Sequence, residues 1–339
     1  MTAPSGAAVE VIGVDLGGTK VAFACFDGRE LGESDIVATD TSDSDALIEQ
    51  LVDGVDRCRG SRLDGVGIGV PSIVEFSTGR VVSSANIPLR DVPLRQRLGE
   101  RLGVPVFVDN DATVAALAEA HDEQLQMVAT DLVMLTIGTG IGGGLVLGGR
   151  IYRGATGGAG ELGHTMVAMD MSGEVPEAGK FPQRGSLEGE AAGHAFDRLV
   201  NRFARDRRSS ELGKRLTAGE KLTGVEAVQA AHDGDADSRR LIELWGERVG
   251  IGIANAINTF DPEEVVIGGG AARAGELLLQ PARRTAAAYV LPGLGSATTI
   301  RTARHGVRAG VLGAALLAVH ELGSASDGSP SRTRSGVRS

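Results

Sequence analysis

Two stretches of this sequence share one pattern, in which an apolar run meets a glycine-rich turn and a second apolar run follows. In the first, Val11 to Leu16 precedes Gly17-Gly18-Thr19-Lys20, and Val21 to Phe26 follows. In the second, Leu132 to Ile137 precedes Gly138-Thr139-Gly140, and a glycine-rich apolar run follows. Each pattern predicts a β-hairpin. Each hairpin opens a stretch in which short apolar runs alternate with helical segments. We therefore predict an α/β protein with a weak internal duplication.

Further segments extend this pattern along both halves of the chain. Buried strands are predicted at 66–70, 105–108 and 265–267, and helices at about 112–120, 241–260 and 311–320. We predict a small α/β domain from residues 8–118 with about 308–322, a large α/β domain from 119–307, and a disordered tail over 323–339. The tail is rich in Ser, Gly, Arg and Pro, a composition that buries little apolar surface.

Composition and charge exclude several classes of partner. The 339 residues carry 44 acidic and 34 basic side chains, and the formal charge of −10 argues against binding to nucleic acid. No uninterrupted apolar run reaches the roughly 18–20 residues that cross a bilayer, and no signal peptide is recognisable before Val11. The two cysteines, Cys25 and Cys58, are expected to be reduced. We therefore predict a cytoplasmic protein with small-molecule partners.

Three glycine clusters follow apolar runs, at 17–20, 138–144 and 268–270. Glycine-rich turns let backbone N–H groups approach phosphate oxygens without a Cβ in the way. The alternative for any one cluster is a plain tight turn. The sequence has no Walker A pattern. No G-x-G-x-x-G opens a helix after the first strand either, so a dinucleotide dehydrogenase is not favoured.

Two carboxylates stand where predicted strands end. Asp15 precedes the first glycine turn and is placed to meet Mg²⁺ held by phosphates, or else to accept hydrogen bonds from turn amides. Asp111 follows a strand and opens a helix. It suits the proton acceptor that phosphoryl transfer to an alcohol requires, although an Asp here could equally cap the helix.

Five segments together resemble one family: Asp15-Leu-Gly-Gly-Thr-Lys20, Val108-Asp-Asn-Asp-Ala112, Ile137-Gly-Thr-Gly-Ile-Gly-Gly-Gly144, Gly154-Ala-Thr-Gly-Gly-Ala-Gly-Glu-Leu-Gly-His164 and Asp261-Pro-Glu-Glu-Val-Val-Ile-Gly-Gly-Gly270. Their order and spacing over about residues 11–320 resemble the ROK family of bacterial sugar kinases and repressors. The resemblance implies the actin-like ATPase (ribonuclease H-like) fold, in which an active-site cleft lies between two α/β domains that close over the substrates.

The resemblance also implies roles for individual residues. Asp111 would be the catalytic base and would contact the sugar hydroxyl. The other sugar contacts would be Asn86, Asn110, Glu161, His164 and Glu188. The ATP contacts would be Asp15 (through Mg²⁺), Gly17, Gly18, Thr19, Lys20, Thr139, Gly140, Gly268, Gly269 and Gly270. The remaining histidines gain no such support and are expected to be structural or on the surface.

The sequence departs from the family on the sugar side. Zinc-containing members bind the metal with the histidine matched by His164 and three cysteines, whose positions here hold Gly179, Phe181 and Ser186. A structural zinc site normally has four ligands, so zinc is not expected. We expect the loop over 167–184 to hold Glu188 by packing alone, through Phe181. Two further departures weaken the assignment of plain glucose as the substrate. Ser72 stands where many members have Gly, and the segment between His164 and Glu188 is longer than usual.

The resemblance therefore implies ATP-dependent phosphorylation of a primary hydroxyl of a hexose or hexose-like polyol, with Mg²⁺ accompanying ATP. Glucose, giving glucose 6-phosphate, is the default. A kinase for an amino sugar (kanosamine or an N-acylhexosamine) or for a C7-cyclitol is the alternative, and a non-catalytic sugar-binding regulator is a further one. A repressor is not expected, because only about ten residues precede Val11. A homo-oligomer, dimer or tetramer, is expected.

Overall fold

The computed structural model describes residues 9–84, 86–168, 177 and 179–326. The chain forms two compact units. Unit 1 comprises Met1–Gln126, Ile151–Ala159 and Val307–Ser339, and unit 2 comprises Met127–Arg150 and Gly160–Gly306. The short segment Ile151–Ala159 thus belongs to unit 1, although the chain on both sides of it belongs to unit 2.

The elements are as follows in chain order. The strands are β1 (Val11–Leu16), β2 (Lys20–Phe26), β3 (Asp35–Ala38), β4 (Gly65–Val70), β5 (Ser72–Glu75), β6 (Arg80–Ser84), β7 (Val106–Asn110), β8 (Leu132–Ile137), β9 (Ile141–Leu147), β10 (Arg150–Ile151), β11 (Glu264–Gly268) and β12 (Thr299–Thr302). The helices are α1 (Ser44–Cys58), α2 (Leu94–Leu102), α3 (Asp111–Glu119), α4 (Leu187–Ala191), α5 (Gly193–Asp206), α6 (Glu211–Thr217), α7 (Gly224–His232), α8 (Ala236–Phe260), α9 (Glu276–Tyr289) and α10 (Ala309–Ser326). Short 3₁₀ helices lie at Leu162–His164, Gly270–Ala274 and Gly306–Arg308.

Unit 1 is built on a five-stranded sheet in the order β3-β2-β1-β4-β7. β1 and β2 form the antiparallel hairpin predicted from the first glycine turn, and β4 and β7 continue the sheet in parallel with β1. β5 and β6 form a separate two-stranded hairpin. The apolar side chains of β1, β4 and β7 are almost all buried, as expected for parallel strands in the middle of a layered domain.

Two glycines explain how α10 packs on this sheet. A Cβ added to Gly13 on β1 would lie 2.1 Å from the carbonyl oxygen of Val311, and one added to Gly67 on β4 would lie 1.8 Å from that of Ala314. Any larger residue at either position would push the helix backbone away from the sheet.

By length and composition alone, Gly306–Ser324 could span a membrane, but half of this stretch is buried within the fold.

The C-terminal prediction is corrected by α10. The helix was expected to end near His320 and the tail to begin at Gly323, yet α10 continues to Ser326. The start of the predicted tail is therefore helical, because the apolar face that packs on the sheet carries the helix past the change in composition. The rest of the predicted tail, 327–339, lies outside the described residues.

Unit 2 repeats the plan of unit 1, with a five-stranded sheet in the order β10-β9-β8-β11-β12. β8 and β9 form the second predicted hairpin, and β11 and β12 run parallel to β8. Each sheet therefore has an antiparallel hairpin followed by two parallel strands, which supports the internal duplication. The long helix α8 begins at Ala236, five residues before the predicted start, and packs on α9.

Candidate functional site

Three neighbouring strands of unit 1 end in one row of residues. In the parallel register, Asp15 of β1 lies beside Gly69 of β4, and Gly69 lies beside Asp109 of β7. A Cβ added to Gly69 would lie 2.7 Å from Val114 Cγ2 and 3.5 Å from Asp111 Cα. The glycine therefore lets the first turn of α3 approach the strand ends, and it brings Asp111 to the same edge of the sheet as the two other carboxylates.

The first glycine turn is held by backbone contacts within unit 1. The Gly17 amide donates to Lys20 O at 3.0 Å, and the Thr39 hydroxyl donates to Gly17 O at 2.8 Å. A Cβ added to Gly18 would lie 2.9 Å from Asn86 Cβ. Unit 1 therefore brings Asn86, a predicted sugar contact, directly against the predicted phosphate loop.

Asp15 lies largely buried at the start of α10. A Cβ added to Gly310 would lie 2.5 Å from the Asp15 carboxylate, so only glycine at this helix position leaves room for the acid. Burial raises the pKa of Asp15, and the charge of Lys20 opposes this effect. The Gly17 amide of the adjoining turn donates to Lys20 O rather than to this acid.

In the turn between β7 and α3, Asn110 caps the helix and Asp111 begins it. Asn110 is the N-cap residue of α3, because its side-chain oxygen accepts from Ala112 N at 2.9 Å and Thr113 N at 3.2 Å. Its amide nitrogen donates to Ser72 O at 3.3 Å. Asp111 is the first helical residue, and its Oδ1 accepts from Ala112 N at 2.8 Å. The alternative that Asp111 is the cap is therefore wrong, since Asn110 fills that position.

Asp109, which the sequence analysis did not single out, belongs to a largely buried ion-pair network centred on Arg153. Its Oδ2 accepts from Arg153 Nε at 2.7 Å, and its Oδ1 accepts from Asn110 N at 2.9 Å. Arg153 Nη2 also donates to Glu321 at 3.1 Å, and the guanidinium lies 3.4 Å from the centre of the Phe76 ring. The Asp109 side chain is 3% exposed and that of Arg153 19%.

The network changes the electrostatics of the turn between β7 and α3. Burial raises the pKa of Asp109, and the positive charge of Arg153 opposes the rise. No local pattern could have paired these residues, because 44 positions separate them. The only sequence signal was the repeated acid in Asp109-Asn110-Asp111, where one carboxylate belongs to a buried strand.

In unit 2, residues 188–194 contact the second glycine loop. The Gly193 amide donates to Gly138 O at 2.7 Å, and His194 Nδ1 lies 2.7 Å from Thr139 O. Glu188, predicted as a sugar contact, accepts the Ile141 amide through Oε2 at 2.7 Å. Glu188 therefore lies against the predicted phosphate loop, and His194 also contacts this loop although no sequence signal singled it out.

The third glycine cluster lies at the same sheet edge as this loop. Gly268 of β11 is in register with Thr136 of β8, the strand that leads into the loop. A Cβ added to Gly269 would lie 2.6 Å from Ile137 O, and the φ of Gly269 is +71°. Both observations require glycine, because a side chain would be strained and would strike the β8 backbone.

His164 is the last residue of the 3₁₀ helix Leu162–His164 of unit 2, and Glu161 directly precedes that helix. His164 Nε2 is 3.8 Å from Glu161 Oε2, and the buried Nδ1 has no hydrogen-bond partner within the described residues. The Phe181 ring contacts the imidazole edge-on, with centroids 5.1 Å apart. These two side chains therefore lie close together on unit 2, and their role as contacts to a polar ligand stays a prediction.

The residues present do not fit a zinc ion. At a position where zinc-containing family members have a cysteine ligand, Phe181 presents a ring to His164. Ser186 Oγ is engaged as the N-cap of α4, since it donates to Gln183 O at 2.6 Å and accepts from Gly189 N at 3.1 Å. Within the described residues, no group of three or more His, Cys, Asp or Glu side chains could hold a metal ion.

The way in which Glu188 is held differs from expectation. Phe181 is 64% exposed, so packing alone does not fix the loop. Instead, Leu187 N donates to Thr165 O at 2.9 Å and Val167 N donates to Gly185 O at 2.8 Å. Backbone hydrogen bonds and the Ser186 cap therefore replace the expected packing. Residues 169–176 and 178 of this loop lie outside the described part of the chain.

Comparison with known proteins places this chain among sugar kinases and their relatives. The sequence model of the ROK family matches residues 11–321. A glucokinase from Halalkalibacterium halodurans is 36% identical over 318 residues, which cover 89% of this chain and 92% of that protein. An N-acetyl-D-glucosamine kinase from Photobacterium profundum is 33% identical over 318 residues, which cover 90% of this chain and 98% of that protein.

A solved structure gives the same result for the fold. The crystal structure of a ROK family glucokinase from Streptomyces griseus, in complex with glucose and AMPPNP, matches with a TM-score of 0.74 and 30% identity. The match covers 92% of this chain and 99% of that one. The predicted actin-like ATPase fold is thereby confirmed. Because the family match extends over nearly the whole described chain, this protein belongs to the ROK family.

Proposed function

We propose that this protein uses ATP to phosphorylate a primary hydroxyl of a hexose or hexose-like polyol, with glucose as the default substrate and glucose 6-phosphate as the product. The observation that carries the proposal is the position of Asp111 at the end of β7 and the start of α3. Asn110 provides the helix cap and Asp109 the ion pair of this turn, so neither structural task falls to Asp111.

The chemistry requires few groups. In phosphoryl transfer the acceptor oxygen forms a bond to the γ-phosphorus while the bond from that phosphorus to the β–γ bridging oxygen breaks. Asp111 accepts the proton that the attacking hydroxyl loses, a contribution of roughly 10²- to 10⁴-fold. We assign Asn86, Asn110, Glu161, His164 and Glu188 to the hydroxyls of the acceptor, as the family motifs imply.

The glycine clusters serve the nucleotide in this proposal. We assign residues 17–20 and 139–140 to the phosphates, and 268–270 to the adenosine side. Mg²⁺ neutralises charge on the β- and γ-phosphates when it is bound with ATP. Asp15 fits such an ion, because it is an oxygen donor beside the glycine turn. Gly310 has no side chain and therefore leaves room for the Asp15 carboxylate.

Two observations favour the second candidate, a kinase for an amino sugar or a C7-cyclitol. The Ser72 hydroxyl is buried and has no hydrogen-bond partner among the described residues, and the Ser72 carbonyl holds Asn110. Phe181 presents an exposed ring beside His164. Both features differ from the usual family pattern on the sugar side, and the N-acetyl-D-glucosamine kinase relative supports a wider choice of acceptor.

A coupled ADP-release assay tests these candidates. It would compare glucose, mannose, N-acylhexosamines, kanosamine and cyclitols with Mg·ATP, and ³¹P NMR would locate the phosphate on the product. We expect turnover with at least one acceptor and phosphate on a primary hydroxyl. Calorimetric binding of a sugar without ADP release would instead support the non-catalytic regulator. A cytoplasmic location and a homo-oligomeric state stay predictions.

A further inference from the structure

Residues 188–194, here called the loop brace, contact three of the four residues 138–141 of the second glycine loop. The Gly193 amide binds Gly138 O, His194 Nδ1 binds Thr139 O, and Glu188 Oε2 binds the Ile141 amide, each at 2.7 Å. All three contacts go to the loop backbone. Because two of these four residues are glycine, the conformation of the loop depends strongly on such external contacts.

The loop brace is itself fixed at three consecutive carbonyl groups. A side chain from α5 or α8 donates to each: Arg198 to Gly189 O at 2.8 Å, Arg248 to Glu190 O at 3.0 Å and Trp245 to Ala191 O at 2.7 Å. Trp245 is buried and stacks on Phe196 with centroids 4.3 Å apart. These contacts fix the loop brace to helices α5 and α8 of unit 2. The loop brace can therefore hold the second glycine loop in a defined position.

The fit between the loop brace and the loop leaves no room for extra atoms. A Cβ added to Gly140 would lie 2.5 Å from Glu188 Oε2, and one added to Gly193 would lie 2.6 Å from Gly138 O. Glu188 uses Oε2 for the Ile141 amide, while its Oε1 is turned away, at 3.9 Å from the same Gly140 position. One carboxylate therefore has an oxygen for the loop and a second oxygen for a ligand hydroxyl.

The hydrogen bond of His194 to the loop determines that its Nδ1 is a donor. The Thr139 carbonyl oxygen can only accept a hydrogen bond, so the imidazole Nδ1 must carry the proton. The His194 ring thereby orients the Thr139–Gly140 peptide, whose single N–H group, that of Gly140, lies in the part of the loop assigned to phosphate oxygens.

We propose that Glu188 and His194 are positioning residues for the nucleotide loop, and that Glu188 couples occupation of the acceptor site to the geometry of that loop. This inference rests on the proposed function, because it takes residues 138–141 as the loop that binds ATP phosphates. It goes further by giving the predicted sugar contact Glu188 a second task on the nucleotide side.

Calorimetric binding of Mg·AMPPNP without sugar tests the positioning role. Glu188→Ala removes the acceptor for the Ile141 amide, and His194→Ala removes the donor to Thr139; each is expected to weaken AMPPNP binding about 3- to 10-fold. Glu188→Gln and His194→Asn each keep a suitable oxygen or N–H group and should stay within about twofold of the wild-type affinity. Glu190→Ala is the matched control, because only the Glu190 carbonyl takes part in the contacts above.

Two results would overturn the positioning role. One is unchanged AMPPNP affinity in both alanine variants. The other is an equal loss in Glu190→Ala accompanied by a lower Tm in all variants, which would indicate a general structural effect. Wild-type protein that binds AMPPNP but phosphorylates no acceptor would contradict the proposed function alone, since the comparison of AMPPNP affinities would still decide the positioning role.

The coupling is tested by repeating the titrations with saturating glucose, N-acetylglucosamine or kanosamine. At least one of the three is expected to tighten AMPPNP binding to the wild type by several-fold. Glu188→Gln should lose this response while it keeps its sugar-free AMPPNP affinity, because the amide nitrogen cannot accept a hydrogen bond from the sugar. The coupling is overturned if no acceptor changes the wild-type affinity, or if Glu188→Gln responds as the wild type does.

Discussion

Arg153 donates a 2.7 Å hydrogen bond from Nε to Oδ2 of Asp109, and the other oxygen of the same carboxylate accepts the amide of Asn110. The ion pair thereby reaches the backbone of the turn that carries Asp111. Arg153 comes from the segment Ile151–Ala159, which belongs to unit 1 although unit 2 surrounds it in sequence. The geometry of the proposed catalytic turn thus depends on a residue far away along the chain.

Replacement of Arg153 by Met should destabilise the protein by about 3–5 kcal/mol, because it leaves the buried Asp109 carboxylate without its partner. Urea unfolding at pH 8 measures the loss. The double variant Asp109→Asn/Arg153→Met should be more stable than Arg153→Met, since no charge is then buried. An Arg153→Met protein with the wild-type unfolding midpoint would contradict this prediction.

The same variant should show an altered pH dependence of stability. Without Arg153, the main opposition to the rise that burial causes in the pKa of Asp109 is lost, and only the hydrogen bond from the Asn110 amide still lowers this pKa. Folded Arg153→Met then holds a proton at pH values where the unfolded chain has lost it, so its free energy of unfolding falls as the pH rises through that range. The deficit relative to the wild type should therefore be smaller at pH 5 than at pH 8, as unfolding at the two pH values would reveal.

Replacement of Asp15 by Asn should separate stability from activity. Burial raises the pKa of Asp15, so the wild type loses stability as the pH rises from about 3.8, the ordinary value, through the raised folded value. The variant lacks this loss and should have the higher free energy of unfolding at pH 7, with the difference shrinking towards pH 4. Its kcat/KM for Mg·ATP should fall, because the carboxylate assigned to Mg²⁺ is gone. An Asp15→Asn protein that is less stable than the wild type at pH 7 would contradict the prediction that burial of the charged carboxylate destabilises the wild type.

Asp111→Asn should lower kcat by roughly 10²- to 10⁴-fold while the acceptor Kd changes little, because the amide fits the same space but cannot accept the proton. The matched control is Asp45→Asn, since Asp45 also stands in the first turn of a helix, α1, but is exposed there. The ADP-release assay and calorimetry measure the two quantities. Near-wild-type turnover in Asp111→Asn would show that another group is the base.

Gly193→Ala should raise the KM for ATP, because the added Cβ would lie 2.6 Å from Gly138 O and would displace the second glycine loop. Gly99→Ala is the control, since a Cβ added at that position on α2 meets nothing closer than 3.7 Å. Steady-state kinetics with ATP as the varied substrate compare the two variants. Equal KM values would mean that the loop tolerates the displacement.

Removal of zinc should have no effect on activity. Phe181 and Ser186 occupy ligand positions of the family's metal site without a metal-binding role, and Ser186 caps α4. Treatment with a strong chelator, followed by assay in excess Mg²⁺, should leave turnover intact. An activity that is lost and then restored by Zn²⁺ alone would contradict the prediction.

Local patterns in the sequence were sufficient for much of the fold and for the family. The hairpins β1–β2 and β8–β9 could be predicted because an apolar run, a glycine turn and a second apolar run are adjacent in the chain. The glycine motifs and the Asp109-Asn110-Asp111 turn identified the ROK family, which the comparisons confirm. The end of α10 was predicted too early, since composition does not reveal which helix face packs on a sheet.

The tertiary structure alone decided which side chains hold these motifs in place. The contacts of Arg153 with Asp109, of Glu188 with Ile141 and of His194 with Thr139 join residues that are 44, 47 and 55 positions apart. Sequence motifs determine the backbone of a loop through neighbouring residues, whereas such contacts exist only after helices and strands have packed. For that reason the sequence determined the chemistry that this protein can carry, and the packing of α4, α5 and α10 decided which residues position it.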